Sequence, residues 1–552
     1  MQISDTIDFS GTTVRVFDAV RALAFIGDLS MGQPTDHSLR TAWLAMQIAQ
    51  DAALGESTCV AVREASLLRW SGCTANAAGF AEALGDDVAS REAMLAGRPG
   101  WADPLEAQGG FSAVVKPLAQ IHCEVSGEVA RMLNLGRETQ ATLRHIFEAW
   151  DGSGMPDHLA GIDVPEAVFV VALAGDLETL TRVYGIEQAL NLVGERADRR
   201  YPARLVALAA QHASRWFATL DAASADAPVA YTDCLSTAAM DQQTSIELIA
   251  DVIDLKLPWM TGYSRAVAKT AAECAAHFSL DAHARNRLYC AGLIHGIGRA
   301  AVPNTVWDVA ARLSSSAWEK VRLVPYWTAR AGSQIGSLAE SALLASHAYE
   351  RVDGSGYFRG ASGSECALEA RILAASSAWV ALRSLRPWRA AMPVDEASQV
   401  LRADAVKGRF DVDVVEVLIT SGAGQKRSAS TGAQTNTRSN AQPNVHPDLQ
   451  DDVQSSAEGH AQEDLRTSAW RAAAQSAQTT QTAQAAPSAS RLSAREIDVL
   501  RAISKGASNK EAARELELSP STIRTHVENV FRKLECSTRA AATLKAAAMG
   551  VL

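Results

Sequence analysis

Several things are scarce in this chain of 552 residues. Its eight cysteines (59, 73, 123, 234, 274, 290, 366 and 536) never come as Cys-X-X-Cys and never pair at short range. That removes the usual zinc-ligand spacing and the disulfide framework of a small secreted domain, and the cysteines read as small apolar residues or free thiols. Long hydrophobic runs are missing too. The longest, such as Ala167-Val-Phe-Val-Val-Ala-Leu-Ala174, fall far short of the ~20 residues a helix needs to cross a bilayer. No membrane segment is expected. The first twenty residues, MQISDTIDFSGTTVRVFDAV, carry acids and no basic cluster ahead of an apolar core, the opposite of a secretory signal. A cytoplasmic protein is expected. Positive charge is scarce overall: 52 Lys and Arg against 62 Asp and Glu leave a net charge of -10, which would repel nucleic acid if it were evenly spread. It is not evenly spread. From Arg491 to Leu552 there are eleven Lys and Arg against seven Asp and Glu, a basic end on an acidic protein.

The length exceeds what one hydrophobic core supports, so two to four domains are expected. Hydrophobic residues at 47% and charged residues at 21% are ordinary for globular protein. Over 424–490 the composition shifts to Ser, Thr, Gln, Ala and Asn, and large apolar residues nearly vanish. Such a stretch cannot bury enough surface to offset its ordering entropy, and it reads as a disordered tether. Upstream, short Pro and Gly breaks separate amphipathic runs such as Leu39-Arg-Thr-Ala-Trp-Leu-Ala-Met-Gln-Ile-Ala49. The fold class expected is all-α, with helical domains over 14–215 and 236–423, the linker over 424–490 and a four-helix module over 491–552.

An internal repeat organises the helical part. DGSGMP (Asp151 to Pro156) and DGSGYF (Asp353 to Phe358) follow Glu148-Ala-Trp and Glu350-Arg-Val, and each Glu has a His three residues earlier, His145 and His347. Residues 260 to 420 resemble the HD-GYP branch of the HD phosphohydrolase superfamily. The likeness is carried by GYSRAVAKTAAECAAHFSL, AGLIHGIGRAAVPNTVWD, LSSSAWEKVRLVPYWTAR, ERVDGSGY and ARILAASSAWVALRSLRPWRAAMPVDEA. Residues 20 to 210 are similar to a more divergent copy. The resemblance implies two tandem HD-like helical domains. It also implies a family chemistry in which two or three divalent metals drive phosphodiester hydrolysis, with cyclic di-GMP as the substrate of characterised HD-GYP members.

That chemistry needs several His and carboxylate ligands converging on ions that activate water. In the second copy the family's ligand positions fall on Tyr263, His295, Gly296, Val324, Ala348, Tyr349 and Ser377; one potential ligand of seven remains. In the first copy they fall on His37, Arg69, Trp70, His122, Ile146, Phe147 and Asp176; three of seven remain. The register is supported by spacing: 37 to 69 and 263 to 295 are both 32 apart, and 122 to 148 and 324 to 350 are both 26 apart. His347 lies one residue before the ligand position, and on a helix that shift turns the imidazole by about 100°. The surviving polar groups read first as leftovers hydrogen-bonded inside old pockets. Two other readings stay open: a weak metal site in the first copy from His37, His122, Asp176 and the displaced His145, and a pocket in which Arg69 replaces the ion as a phosphate-sensing charge. The Gly-Ser-Gly turns need neither, because a tight fold-determining turn explains them.

The last sixty residues carry their own signals. Ser493-Ala-Arg-Glu496 and Ser508-Asn-Lys-Glu511 are capping boxes, Gly506 stops a helix between them, Ser519-Pro520 opens a third helix, and Ser537 or Thr538 opens a fourth. A turn around Glu517-Leu518-Ser519 gives helix-turn-helix spacing. Ile523, Val527, Val530 and Leu534 form the buried stripe of the third helix, which leaves Arg524, Thr525, Glu528 and Arg532 outward for base edges in a major groove. Asn509, Lys510, Thr522, His526 and Lys533 are placed for phosphate contacts. Through LSAREIDVL, GASNKEAARELELSPSTIRTHV and VFRKLECSTRAAA the segment resembles the LuxR-type helix-turn-helix family. The resemblance implies dimeric binding to double-stranded DNA, with the fourth helix, about 538 to 550, as the pairing surface. Ala512 stands where a larger residue is usual, which should loosen the core slightly.

The function expected is sequence-specific, DNA-binding transcription regulation by a homodimer. Its HD-type domains are catalytically silent and serve dimerisation, partner contact or sensing of a nucleotide ligand, and no cofactor is expected. The alternative is a bifunctional phosphohydrolase of the cyclic dinucleotide phosphodiesterase type, which would need iron, manganese or magnesium. A ligand-free scaffold is the third.

Overall fold

A computed structural model describes residues 12–226, 228–424 and 492–552. The tether expected over 424–490 lies outside them, apart from Gly424, which ends a helix. The described chain is all-α but for a two-stranded antiparallel ribbon, β1 (Thr13–Arg15) against β2 (Gln243–Ser245). None of its helices is long and apolar enough to cross a membrane.

The first copy is built around α1 (Val16–Ser30), α2 (His37–Asp51), α3 (Glu56–Leu68), α4 (Phe111–Met132), α5 (Arg137–Arg144) and α6 (Glu166–Tyr184). The second follows with α7 (Glu247–Asp254), α8 (Tyr263–Ala276), α9 (Ala282–Ile294), α10 (Val324–Gln334) and α11 (Leu368–Arg383). Helix α1 is buried on nearly all sides, as expected of a helix that is apolar all round. It packs on α7 and on the tight turn at Ile297–Ala301, so one apolar core runs unbroken through both copies. A buried ion pair, Lys256 Nζ to Asp87 at 2.8 Å, crosses between them, and the other Asp87 oxygen accepts the Asn304 N–H at 2.7 Å.

The repeat is visible in atomic detail. Asp28, late in α1, accepts the Ser38 N–H and hydroxyl at 3.0 and 2.6 Å; Asp254, at the end of α7, accepts the same two groups of Ser264 at 2.8 and 2.7 Å. Each buried carboxylate thus pins one core helix to the start of the next. The Glu and Asp-Gly-Ser-Gly motifs repeat just as closely. Glu148 accepts the Asp157 and Leu159 N–H groups at 2.7 and 3.1 Å, and Glu350 those of Arg359 and Ala361 at 2.8 and 3.1 Å. Asp151 and Asp353 each take the N–H two residues on at 2.9 Å. A Cβ at Gly154 would lie 2.4 Å from the Glu148 Cα, and one at Gly356 2.4 Å from the Glu350 Cα, so only glycine lets the loop fold back this closely. The Glu therefore clamps its own loop.

The C-terminal module has a separate small core. Its helices are α12 (Ala494–Ser504), α13 (Asn509–Glu515), α14 (Pro520–Leu534) and α15 (Arg539–Ala548). Both expected capping boxes form, with Ser493 and Glu496 and with Ser508 and Glu511, and Ser519 caps α14 ahead of Pro520. Thr538, not Ser537, caps α15.

Candidate functional site

Arg69 and His295 occupy equivalent places, each the first residue past a core helix, α3 and α9. In the first copy Arg69 is 4% exposed, and its Nη2 donates to His37 Nε2 at 2.6 Å. A guanidinium only donates, so Nε2 accepts and the His37 Nδ1–H donates to Glu178 at 2.5 Å. Burial would raise the Glu178 carboxyl, but His37 and Arg182 override it and hold it at about 2. Burial pulls the guanidinium of Arg69 down to about 10, against the pull of Asp176, Asp28 and Glu178, so it stays charged at neutral pH. It lies 4.3 Å over the Trp70 ring. A Cβ at Gly175 would fall 1.5 Å from its Nη1, so Gly175 is the slot that admits this arginine.

The other expected ligands of this copy do not converge. His122 donates Nε2–H to the Arg69 carbonyl at 2.7 Å, packs 4.7 Å from the Phe147 ring, and is lowered by burial to about 3, which keeps it neutral. Asp176 accepts from Arg196 at 2.6 Å and from the Tyr201 hydroxyl. Burial would raise it, but Arg200 and Arg196 override that and hold it below the usual carboxylate range. His145 sits apart, just past α5, with Nδ1 3.4 Å from Asp157. Among the described residues the group of donors close enough to share an ion is His145, Glu148 and Asp157, not the set of His37, His122, His145 and Asp176. Both oxygens of Glu148 already hold backbone N–H groups.

The second copy reaches the same outcome by a residue that sequence reasoning missed. Arg299 is 3% exposed; its Nη2 donates to His295 Nε2 at 2.8 Å and to the Tyr349 hydroxyl at 2.9 Å, and its Nη1 lies 4.0 Å from Asp254. The guanidinium carbon stands 5.0 Å from the Tyr263 ring centre. His295 gives its Nδ1–H to the Gly292 carbonyl at 2.6 Å, and burial lowers it to about 3. A Cβ at Gly296 would lie 2.7 Å from Arg299 Nη1. Loss of a side chain at the position expected to carry an aspartate is what lets the arginine in. His347 lies in a turn and not inside a helix, so the expected helical rotation does not apply; its Nδ1 faces the Leu343 carbonyl at 2.9 Å. At the expected ligand positions the imidazoles are already engaged: His37 by Arg69 and Glu178, His122 by the Arg69 carbonyl, and His295 by Arg299 and the Gly292 carbonyl.

On the C-terminal module, Ile523, Val527, Val530 and Leu534 are buried, and Arg524, Thr525, Glu528 and Arg532 are exposed along the opposite face of α14. Arg524 and Glu528 pair at 2.9 Å and Thr525 bonds the Ser521 carbonyl. Lys510 is exposed, Thr522 and His526 are half-buried, and Asn509 accepts from Arg539 at 2.8 Å. Lys533 is held by Glu496 at 2.7 Å. Ala512 is fully buried in the small core.

This module rests on the tandem through its fourth helix. Helix α15 packs on α4 and α7, and Ala541 and Leu544 belong to the large core. Glu124 accepts the Ser537 N–H at 2.5 Å and its hydroxyl at 3.0 Å, and Lys545 pairs with Glu128 at 3.3 Å. Thr261 donates to the Ser504 carbonyl at 2.8 Å.

Comparison with known proteins agrees with this division. Residues 247–414 match the family model of the HD domain, and residues 490–546 that of bacterial regulatory proteins of the luxR family. The chain is 26% identical over 412 residues to the 3'3'-cGAMP-specific phosphodiesterase 3 of Vibrio cholerae, covering 68% of this chain and 87% of that protein. It is 34% identical over 129 residues to the cyclic di-GMP phosphodiesterase response regulator RpfG of Xanthomonas campestris, covering 23% of this chain and 34% of the relative. It is 48% identical over 60 residues to the probable transcriptional regulatory protein NarL of Mycobacterium tuberculosis, covering 11% and 28%. The crystal structure of a cyclic GMP-AMP-specific phosphodiesterase of V. cholerae, V-cGAP3, superposes with a TM-score of 0.54 at 22% identity over 74% of this chain and 98% of that one, which shows the shared fold. The chain therefore joins an HD domain, related to cGAMP phosphodiesterases, to a C-terminal DNA-binding domain of the LuxR family.

Proposed function

We propose that this protein is a cytoplasmic, sequence-specific transcription regulator whose HD tandem does not hydrolyse phosphodiesters and instead holds the DNA-binding module, answering to a nucleotide. One observation carries the reading: a buried guanidinium, Arg69 in one copy and Arg299 in the other, bonds to the histidine of each former metal centre. Metal-assisted hydrolysis requires an ion that binds water and makes it a nucleophile at neutral pH. A guanidinium accepts no ligand and cannot ionise a water, although it binds phosphate well. Arg69 therefore keeps its role as a candidate phosphate-sensing charge.

The docked module supports the second half. In the docked state the base-reading face of α14 is open, but α15, the expected pairing helix, is covered by α4 and α7. A docked chain can touch DNA only as a single module, and pairing with a second copy requires α15 to leave. Regulation then follows from occlusion and release. Lysine at Glu124 and Glu128 (E124K together with E128K) would face Lys545 with like charge. In a gel shift against genomic fragments the double variant should bind at least ten-fold tighter than wild type and sediment as a dimer at lower concentration. Unchanged affinity and unchanged oligomeric state would end the occlusion model.

The alternative of a bifunctional phosphohydrolase draws on the His145, Glu148 and Asp157 group and on the likeness to V. cholerae phosphodiesterase 3. Metal analysis of the purified protein separates the two, since that alternative requires stoichiometric iron, manganese or magnesium.

A further inference from the structure

Four cations of the C-terminal module answer to acids: Arg495 to Asp498, Arg524 to Glu528, Lys533 to Glu496 and Lys545 to Glu128. Arg539, the first residue of α15, does not. It is half-buried, and its two terminal nitrogens donate to neutral oxygens, Nη1 to the Ala507 carbonyl and Nη2 to Asn509 Oδ1, both at 2.8 Å. Burial pulls the guanidinium below its usual value, and no acid among the described residues acts against that. A partly desolvated cation without a counter-ion lowers stability, so packing alone does not call for one at this place. The arginine also fixes which way Asn509 faces. A guanidinium only donates, so the amide oxygen is the atom turned to it and the N–H2 end is turned away. Among the described residues that N–H2 has no hydrogen-bond partner. Asn509 is the first residue of α13, the leading helix of the helix-turn-helix, and Lys510 beside it is exposed. In that motif the leading helix crosses the DNA backbone. The turn before α13 therefore carries an aimed donor and an uncompensated charge where a phosphate passes.

Resting on the DNA-binding reading above, we infer that Arg539 is a positioning residue for DNA: it holds the Asn509 amide with its N–H2 toward a backbone phosphate and lends that phosphate its own charge. The ligand chemistry is the phosphodiester of a duplex, met without regard to sequence. A guanidinium suits the task because its fork gives two donors at fixed geometry, one for the Ala507 carbonyl and one for the amide. A lysine ammonium is a point charge and cannot hold both in that geometry. The two residues are 30 positions apart, so neither marks the other in the sequence.

The test is fluorescence anisotropy of the full chain with a duplex that the wild-type protein selects from random sequence, read across a series of potassium chloride concentrations. Arg539→Gln should weaken binding about ten-fold and lower the slope of log affinity against log salt by about one, since one phosphate neutralisation is lost. An unrelated duplex should lose the same factor, because phosphate contacts carry no sequence information. Arg539→Lys keeps the charge; it should restore the slope and recover only part of the affinity. Asn509→Ala should weaken binding several-fold, and in that background Arg539→Gln should lose less than it does alone. An unchanged salt slope in Arg539→Gln, or additive losses in the double variant, overturns the inference and leaves the DNA-binding reading standing. Should Arg539→Gln not fold, Arg539→Lys decides: wild-type affinity there would mean that charge without orientation suffices, and the positioning role falls. A wild-type chain that selects no duplex overturns the inference and the DNA-binding reading together.

Discussion

The two HD centres put the same group in the same place and obtain it differently. In the first copy the arginine stands at a ligand position itself: Arg69 follows α3 and reaches His37 across the slot left by Gly175. In the second, the histidine at that position survives as His295, and Arg299 reaches back to it over the space left by Gly296. Both retain the buried Asp that pins one helix to the next, Asp28 and Asp254. What the difference teaches is electrostatic. In each copy a guanidinium is the buried cation beside the imidazole, and two different backbone positions deliver it.

The largest expected effect breaks that comparison on charge. Arg69 has Asp176, Asp28 and Glu178 around it, whereas Arg299 has Asp254 and two phenols. Removing a buried cation from an acidic cluster costs about 3–5 kcal/mol. Arg69→Met should therefore lower stability by that amount in thermal or urea unfolding. Arg299→Met, losing two hydrogen bonds beside a carboxyl that is already raised to about 7, should cost roughly 2–3 kcal/mol. Equal losses would mean the surrounding acids do not set the difference.

A smaller effect tests the similarity. Glu148 and Glu350 clamp their loops through the same pair of N–H groups, nine and eleven residues on, at nearly the same distances. Glu148→Ala and Glu350→Ala should each cost about 2–3 kcal/mol, and by similar amounts, since each leaves two backbone donors without a carboxylate. A large loss in one and none in the other would show that only one motif is structural.

The smallest effect is in pH. Burial holds His122 and His295 at about 3, while the unfolded chain titrates near 6.5. The folded protein binds fewer protons than the unfolded one between those values. The two groups' stabilisation is complete above pH 6.5 and is lost as the pH falls from 6.5 towards 3. Against wild type, His122→Gln and His295→Gln should each look relatively better at pH 5 than at pH 7, by on the order of 1 kcal/mol per pH unit. A pH-independent difference would mean that these imidazoles titrate in the folded state as they do in the unfolded chain.

The DNA-binding module was the most legible part of the sequence because its signals are local. Ser493 with Glu496, Ser508 with Glu511, and Ser519 with Pro520 each specify a helix start within four residues, and all three form. The HD centres were legible by subtraction. Spacing located the expected ligand positions and put Arg69 at one of them, but Arg299 lies four residues past His295, at no ligand position, and nothing local marks which way a side chain after a turn will point. The docking of α15 was not legible at all, because Glu124 and Ser537 are 413 residues apart and neither forms part of a motif. A charge on α4 reads from sequence as a solvated face until the module is seen to cover it.

The measurement closest to the central claim is hydrolysis by the purified chain, with 3'3'-cGAMP and cyclic di-GMP as substrates and iron, manganese and magnesium supplied in turn. With guanidinium groups in both centres, the protein should show no turnover above buffer and retain no stoichiometric metal. Turnover that depends on an added metal and is lost in His122→Ala would contradict it.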